Sequence, residues 1–170
     1  ELAACSELLV LEKGTQVLQE GEYARKVYYV AKGTARAFYL KNGKDISDWF
    51  AFENDFICAI DSYFLEIPSP YYIEVLEPSI LLGIHKEESD KLADRYLNFD
   101  RLGKVIVTNT MLKLQQRIVS MQFETAKQQY ENLLKIRPDI TQRIPLTHIA
   151  SYLGITLETL SRIRNPKYRI

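Results

Sequence analysis

The 170-residue sequence is poor in the residues that build covalent and metal chemistry, with two cysteines and two histidines. Cys5 and Cys58 stand far apart in no paired motif, which predicts two reduced thiols acting as small hydrophobes. An iron–sulfur cluster needs about four cysteines, so that class is excluded. A cupin-type metal centre needs several histidines on neighbouring strands. His148 lies in the helical end of the chain, and His85 stands alone, an ordinary sheet-edge residue rather than a haem ligand. G-x-S-x-G, P-loop and H-E-x-x-H motifs are all missing, so no enzyme, cofactor or metal is expected. No apolar run approaches the roughly 20 residues of a membrane helix, and no signal peptide opens the chain; the expected location is cytoplasmic. The first residue is not methionine, and a further N-terminal segment is expected ahead of it.

Net charge is also absent, with 22 Lys and Arg against 22 Asp and Glu. The zero hides an asymmetry. Residues 141–170 carry Arg143, Arg162, Arg164, Lys167 and Arg169 against Glu158 alone, a charge of +4, leaving −4 on the remaining 140 residues. A basic end on an acidic body is the charge pattern of a nucleic-acid contact surface.

What the sequence has in quantity is aromatic: eleven tyrosines and seven phenylalanines, which suit the pleated, half-buried surface of a sheet. The first half reads as short strands between glycine turns. "TARAFYLKNGKDISDWFAF" is a strand, an Asn42-Gly43 turn that tolerates positive φ, and a returning strand. "YYIEVLEPSILLGI" gives two more around Glu77-Pro78. Such spacing predicts a small barrel or jelly roll.

Near Lys86 the period changes to helical. "EESDKLADRYL" is a short helix, and "NFDRLGKVIVTNTMLKLQQRIVSMQF" is a long one without proline. Along it Leu102, Val105, Asn109, Leu112, Gln116, Val119 and Phe123 recur at alternating spacings of three and four, a coiled-coil seam with two polar members. Asn109 and Gln116 would be costly against an apolar sheet but can pair across a symmetric seam, so a helix shared by two chains is expected. A second row, Ile106, Leu114, Ile118 and Met121, is expected to cover the sheet. A further helix opens on a capping pattern, Thr125 with Gln128.

The end of the chain reads as two short helices, Leu146–Leu153 and Leu157–Arg164, around Gly154. Ile149, Ala150 and Leu153 form the apolar face of the first, and Thr156 can cap the second. Leu160 and Ile163 turn inward, leaving Leu157, Glu158, Ser161, Arg162 and Asn165 outward, the plan of a helix-turn-helix. "HIASYLGITLETLSRIR" resembles that unit in the CRP/FNR superfamily of bacterial transcription regulators. "KGTQVLQEGEYARKVYYVAKGTARAFYLKNGK" resembles the superfamily's β-roll, with Gly14, Gly21 and Gly33 at its turns, and the long helix resembles its dimerisation helix. The resemblance spans essentially the whole chain. It implies an α+β fold with an N-terminal β-roll sensor domain of the jelly-roll or double-stranded β-helix type (1–97), a dimerisation helix (98–123) and a C-terminal helix-turn-helix domain (124–170). The last is winged-helix-like with a reduced or absent wing, because the chain ends soon after the second helix.

The resemblance further implies a homodimer on a near-palindromic site in double-stranded DNA, with RNA polymerase as a further partner. Leu157, Glu158, Ser161 and Arg162 then face base edges. Glu158 matches a residue that accepts from a cytosine amino group, and Arg162 one that reads guanine. Leu157 stands where the best-known member has an arginine. Arg143, Thr156, Thr159, Arg164 and Lys167 match the role of phosphate contacts, which fix register.

The superfamily's cyclic-nucleotide cassette uses a Gly-Glu pair and an Arg-Ser pair. Here Cys58-Ala59 and Ser69-Pro70 stand in those places. Between Lys44 and Lys86 there is no Lys or Arg but eight Asp and Glu, so cyclic AMP is not expected and the small-molecule effector is unassigned. Trp49, Phe50, Cys58, Phe64, Tyr71 and Tyr72 leave two readings open, an apolar effector pocket or plain core. The rival function is a ligand-sensing β-roll whose terminal helices bind a protein partner.

Overall fold

The computed structural model describes residues 5–165. Eight strands come first, interrupted by one short helix: β1 (Ser6–Leu11), β2 (Gln16–Leu18), β3 (Lys26–Lys32), β4 (Ala35–Lys41), β5 (Lys44–Ala51), β6 (Phe56–Ile57), α1 (Ile60–Leu65), β7 (Tyr72–Val75) and β8 (Ser79–His85). They pair antiparallel into two four-stranded sheets, ordered β1-β8-β3-β6 and β2-β7-β4-β5, which face each other as a roll. The β4–β5 hairpin turns at Asn42 (φ 52°) and Gly43 (φ 73°), the double positive φ that the Asn-Gly pair accommodates. Gly33 between β3 and β4 is needed for two reasons. Its φ is +94°, and a Cβ there would lie 2.1 Å from Ser79 Oγ.

Alternation sorts the side chains of the second sheet. Ala35, Ala37, Ala51, Ile73 and Val75 turn inward and join Val30, Leu81, Tyr28, Tyr63 and Tyr71 in a buried core. The small alanines of β4 leave room for the tyrosine rings. Outward at matching register stand Arg36, Glu74 and Phe50, then Phe38, Tyr72 and Ser47. A bulge between Ala37 and Phe38 shifts the alternation along the hairpin.

Helices complete the chain: α2 (Lys86–Arg95), α3 (Leu97–Phe123), α4 (Ala126–Ile136), α5 (Ile140–Arg143), α6 (Leu146–Tyr152) and α7 (Leu157–Arg164). At 1.5 Å per residue α3 is about 40 Å long. It has no buried residue. Its half-covered stripe is Ile106, Thr110, Leu114, Arg117 and Ser120. The expected sheet-covering row is thus corrected: Ile118 and Met121 are exposed, and polar residues replace them on the inner face. Lys113 Nζ reaches Asp55 Oδ1 at 3.0 Å and Arg117 Nη1 reaches Asp48 Oδ1 at 3.1 Å. These basic side chains suit the acidic roll. At the start of α4, Thr125 and Gln128 form a reciprocal capping box.

A second core joins the two halves of the chain. Phe50, Phe52 and Leu76 from the roll pack with Tyr130, Ile140, Ile144, Ile149, Ala150 and Leu160 from the terminal helices. The part of the outer face of the β2-β7-β4-β5 sheet around Arg36, Ser47 and Phe50 is therefore covered by α6 rather than by water.

Candidate nucleic-acid interface

The α6–α7 unit is shaped by its turn. Gly154 takes φ +68°, its N–H donates to Ser151 O at 3.0 Å, and Ile155 N–H donates to Ala150 O at 3.0 Å. That pair of bonds closes α6 in a Schellman motif, which a residue with a Cβ resists at the glycine position. Thr156 then caps α7, its Oγ1 accepting from Thr159 N–H at 3.1 Å. Leu160 is fully buried beneath α7, with Ile163 packed beside it.

The opposite face of α7 is open. Leu157, Glu158, Ser161, Arg162, Arg164 and Asn165 are all exposed, so the four residues matched to base contacts share one solvent face. Glu158 and Arg162, one helical turn apart, form an ion pair with side chains 73% and 66% exposed. An exposed pair of this kind contributes little to stability and leaves both groups accessible. Thr156 is exposed and Thr159 half-buried on the same helix. Lys167 lies outside the described residues.

Arg143 sits elsewhere than on this face. Its guanidinium is held against the roll: Nη1 and Nη2 donate to Glu53 at 2.9 and 2.6 Å, and Nε and Nη2 donate to Glu77 Oε1 at 3.0 and 2.6 Å. The hydrogen bonds from Arg143 hold the Glu53 carboxyl at about 2, and the same carboxylates push the arginine up.

A second arginine network was not legible from the sequence. Arg36 occupies an outward position of β4 yet is 3% exposed, because α6 lies over it. Its Nε donates to Glu74 at 2.6 Å, its two terminal nitrogens donate to Asp45 at 2.6 Å each, and Nη1 meets Ser47 Oγ and His148 Nδ1, both at 2.9 Å. A guanidinium can only donate, so in this contact Nδ1 is the acceptor. Burial, followed by the adjoining guanidinium, lowers the His148 pKa. Ser151 Oγ completes the seam, accepting from Ser47 N–H at 2.9 Å and donating to Asp45 O at 3.0 Å. Arg117 ties in α3, its guanidinium 4.4 Å from the Tyr152 ring.

The seam candidates of α3 lie on an open face. Leu102, Val105, Leu112 and Val119 are exposed, as are Asn109 and Gln116. Val107, Met111 and Phe123 are exposed as well, so apolar side chains circle much of the helix.

The six effector-pocket candidates do not converge. Trp49, Cys58 and Tyr71 pack into the inner core, whereas Phe50 belongs to the outer core shared with the terminal helices. Tyr72 stacks on Phe38 with ring centres 5.1 Å apart, and Phe64 is 57% exposed. Burial also pushes the Cys58 thiol up to about 12, which disfavours the thiolate form.

At the cassette positions the remaining polar atoms have protein partners. Ser69 is buried and its Oγ donates to Tyr71 O at 2.7 Å. Ile60 N–H at the start of α1 donates to the Tyr71 hydroxyl at 2.9 Å. Ala59 is fully buried and brings no polar side-chain atom. At the four cassette positions themselves no cationic side chain stands, and the Ser69 hydroxyl and the Ile60 N–H already have partners within the chain, so the ligand set of a cyclic phosphate is not reproduced at these residues. Among the described residues no group of three or more His, Cys, Asp and Glu could hold a metal ion, and no helix is long and apolar enough to cross a membrane.

Residues 8–96, just over half of the chain, match the cyclic nucleotide-binding domain family. No curated protein matches in sequence. Among solved structures, FixK2 from Bradyrhizobium japonicum is 18% identical with a TM-score of 0.78, covering 93% of this chain and 82% of that one. A protein assigned to the CRP/FNR family of transcriptional regulators, from Eubacterium rectale, is 16% identical with a TM-score of 0.73, covering 95% and 78%. The c-di-GMP-responsive global regulator CLP of Xanthomonas campestris is 15% identical with a TM-score of 0.70, covering 94% and 85%. The chain belongs to the cyclic nucleotide-binding domain family, and its fold is that of the CRP/FNR transcription regulators.

Proposed function

We propose that the chain is a sequence-specific DNA-binding transcription regulator that acts as a homodimer on a near-palindromic site. The observation that carries this reading is α7. It exposes Leu157, Glu158, Ser161 and Arg162 together while Leu160 on its other side is fully buried, the disposition a recognition helix needs. Arg162 is the guanine reader and Glu158 the acceptor for a cytosine amino group, each suited to major-groove base edges. Thr156, Thr159, Arg164 and Lys167 are the phosphate contacts on this unit.

Dimerisation is read from α3. A helix with apolar residues on several faces is ordinarily buried, and this one has no fully buried residue and leaves most of its apolar side chains exposed. Pairing along Leu102, Val105, Asn109, Leu112, Gln116 and Val119 would cover that surface. Residues 1–97 then form the roll, 98–123 the dimer helix and 124–170 the DNA-binding unit. The roll acts as a sensor domain without cyclic-nucleotide ligands, the protein works in the cytoplasm, RNA polymerase is the machinery it acts on, and no catalytic role is assigned.

The test is Arg162→Ala with labelled duplexes. The parent should prefer its best site over random DNA, and the variant should lose about 1–3 kcal/mol of that preference while remaining dimeric. Equal loss on preferred and random DNA would show that Arg162 contacts phosphate only. Binding that ignores salt would favour a protein partner, because phosphate contacts release counterions.

A further inference from the structure

We propose that Glu53 and Glu77 of the roll act as a built-in competitor for DNA phosphate at Arg143, so that full DNA engagement requires this arginine to leave two carboxylates. The inference rests on the reading of α6–α7 as the DNA-binding unit. Arg143 ends α5, just ahead of α6, and each of its three nitrogens is engaged. Nε and Nη2 donate to Glu77, both terminal nitrogens donate to Glu53, and Nη1 also meets Asp139 Oδ2 at 3.3 Å. A guanidinium presents the same planar fork to a carboxylate and to a phosphate. The two acceptors are therefore mutually exclusive on these donors.

The carboxylates are held in place by the roll itself. Glu53 Oε1 accepts from Gly33 N–H at 2.9 Å and Glu77 Oε1 accepts from Thr34 Oγ1 at 2.6 Å. Both partners belong to the β3–β4 turn, whose glycine tolerates no Cβ against Ser79. Phe52 lies under the cluster, with Arg137 stacked 3.8 Å from its ring centre. Arg137 also stands 3.7 Å from Glu53 and 3.8 Å from Asp139. Two arginines facing Glu53, Glu77 and Asp139 leave the cluster at −1, so an approaching phosphate meets no net positive charge there. The basic end of the chain is partly neutralised by its own acidic body.

The experiment is a cycle of full-length variants, Glu53→Gln/Glu77→Gln and Arg143→Ala, alone and combined. Each is titrated with a fluorescein-labelled duplex across salt concentrations. Removing the carboxylates should tighten binding several-fold and steepen the salt dependence by about one phosphate contact per chain. Arg143→Ala should change the parent less than about two-fold yet abolish the gain in the glutamine background, which separates the effect from a general loss of negative charge. An equal loss on Arg143→Ala in both backgrounds would overturn the proposal, since Arg143 would then already be free. So would a gain that survives Arg143→Ala. If the double variant does not fold, Glu77→Gln alone, which keeps the Glu53 pair, should show a smaller gain with the same dependence on Arg143. A parent that binds no duplex even in dilute salt would overturn the DNA reading itself, a result distinct from a parent that binds and shows no coupling.

Discussion

The Glu53–Arg143 pair should make stability depend on pH in a calculable way. Glu53 is held at about 2 against an ordinary 4.5, chiefly by its hydrogen bonds from Arg143. At about 1.4 kcal/mol per pH unit of depression the ceiling is about 3 kcal/mol. The Glu53 side chain is 34% exposed, so solvent screening brings the expected contribution down to about 1–2 kcal/mol. Because the folded value is lowered, that contribution is complete above about pH 4.5 and is lost as the pH falls toward 2. Glu53→Gln should therefore cost about 1–2 kcal/mol in urea unfolding at pH 7, and the gap to the parent should narrow steadily between pH 4.5 and pH 3. A gap that is the same size at pH 6 and pH 3 would refute the reasoning, since the glutamate would then be stabilising by shape rather than by charge.

Other outcomes follow from the same geometry. Leu112→Glu, on the open face of α3, should yield a folded monomer by sedimentation with helical content unchanged; a dimer of undiminished affinity would move the interface elsewhere. Leu160→Ala, which empties a fully buried site under α7, should destabilise by about 2–5 kcal/mol, read as a fall in the denaturation midpoint. Cyclic AMP should leave the melting temperature unmoved, because a ligand that binds the native state would raise it; a saturable rise would reverse the conclusion drawn from Ser69, Tyr71 and Ala59.

The roll, the Asn42-Gly43 hairpin, the capping box at Thr125 and the two terminal helices were legible because each rests on local chemistry. The shared outer core was not. Arg36 sits at an outward strand position, which reads as solvent-facing until α6 is laid over it, and its partners come from Asp45, Glu74 and His148, far apart in sequence. The resting partners of Arg143 were hidden for a related reason. A basic residue beside a helix-turn-helix has the composition of a phosphate contact, whereas its partners Glu53 and Glu77 come from turns of the roll 90 and 66 residues earlier in the chain. Those carboxylates were visible as part of an acidic stretch, but their role depends on the fold bringing them under α5. On α3, spacing alone offered two apolar rows, and the placement of Lys113 and Arg117 against the acidic roll decided which face turns inward.

The most direct measurement is the selection of bound duplexes from a random DNA pool by the full chain. Paired α7 helices should enrich an inverted repeat with half-sites about one helical turn apart, bound by two chains. A pool that emerges without any enriched sequence, or with a single half-site occupied by one chain, would contradict the account.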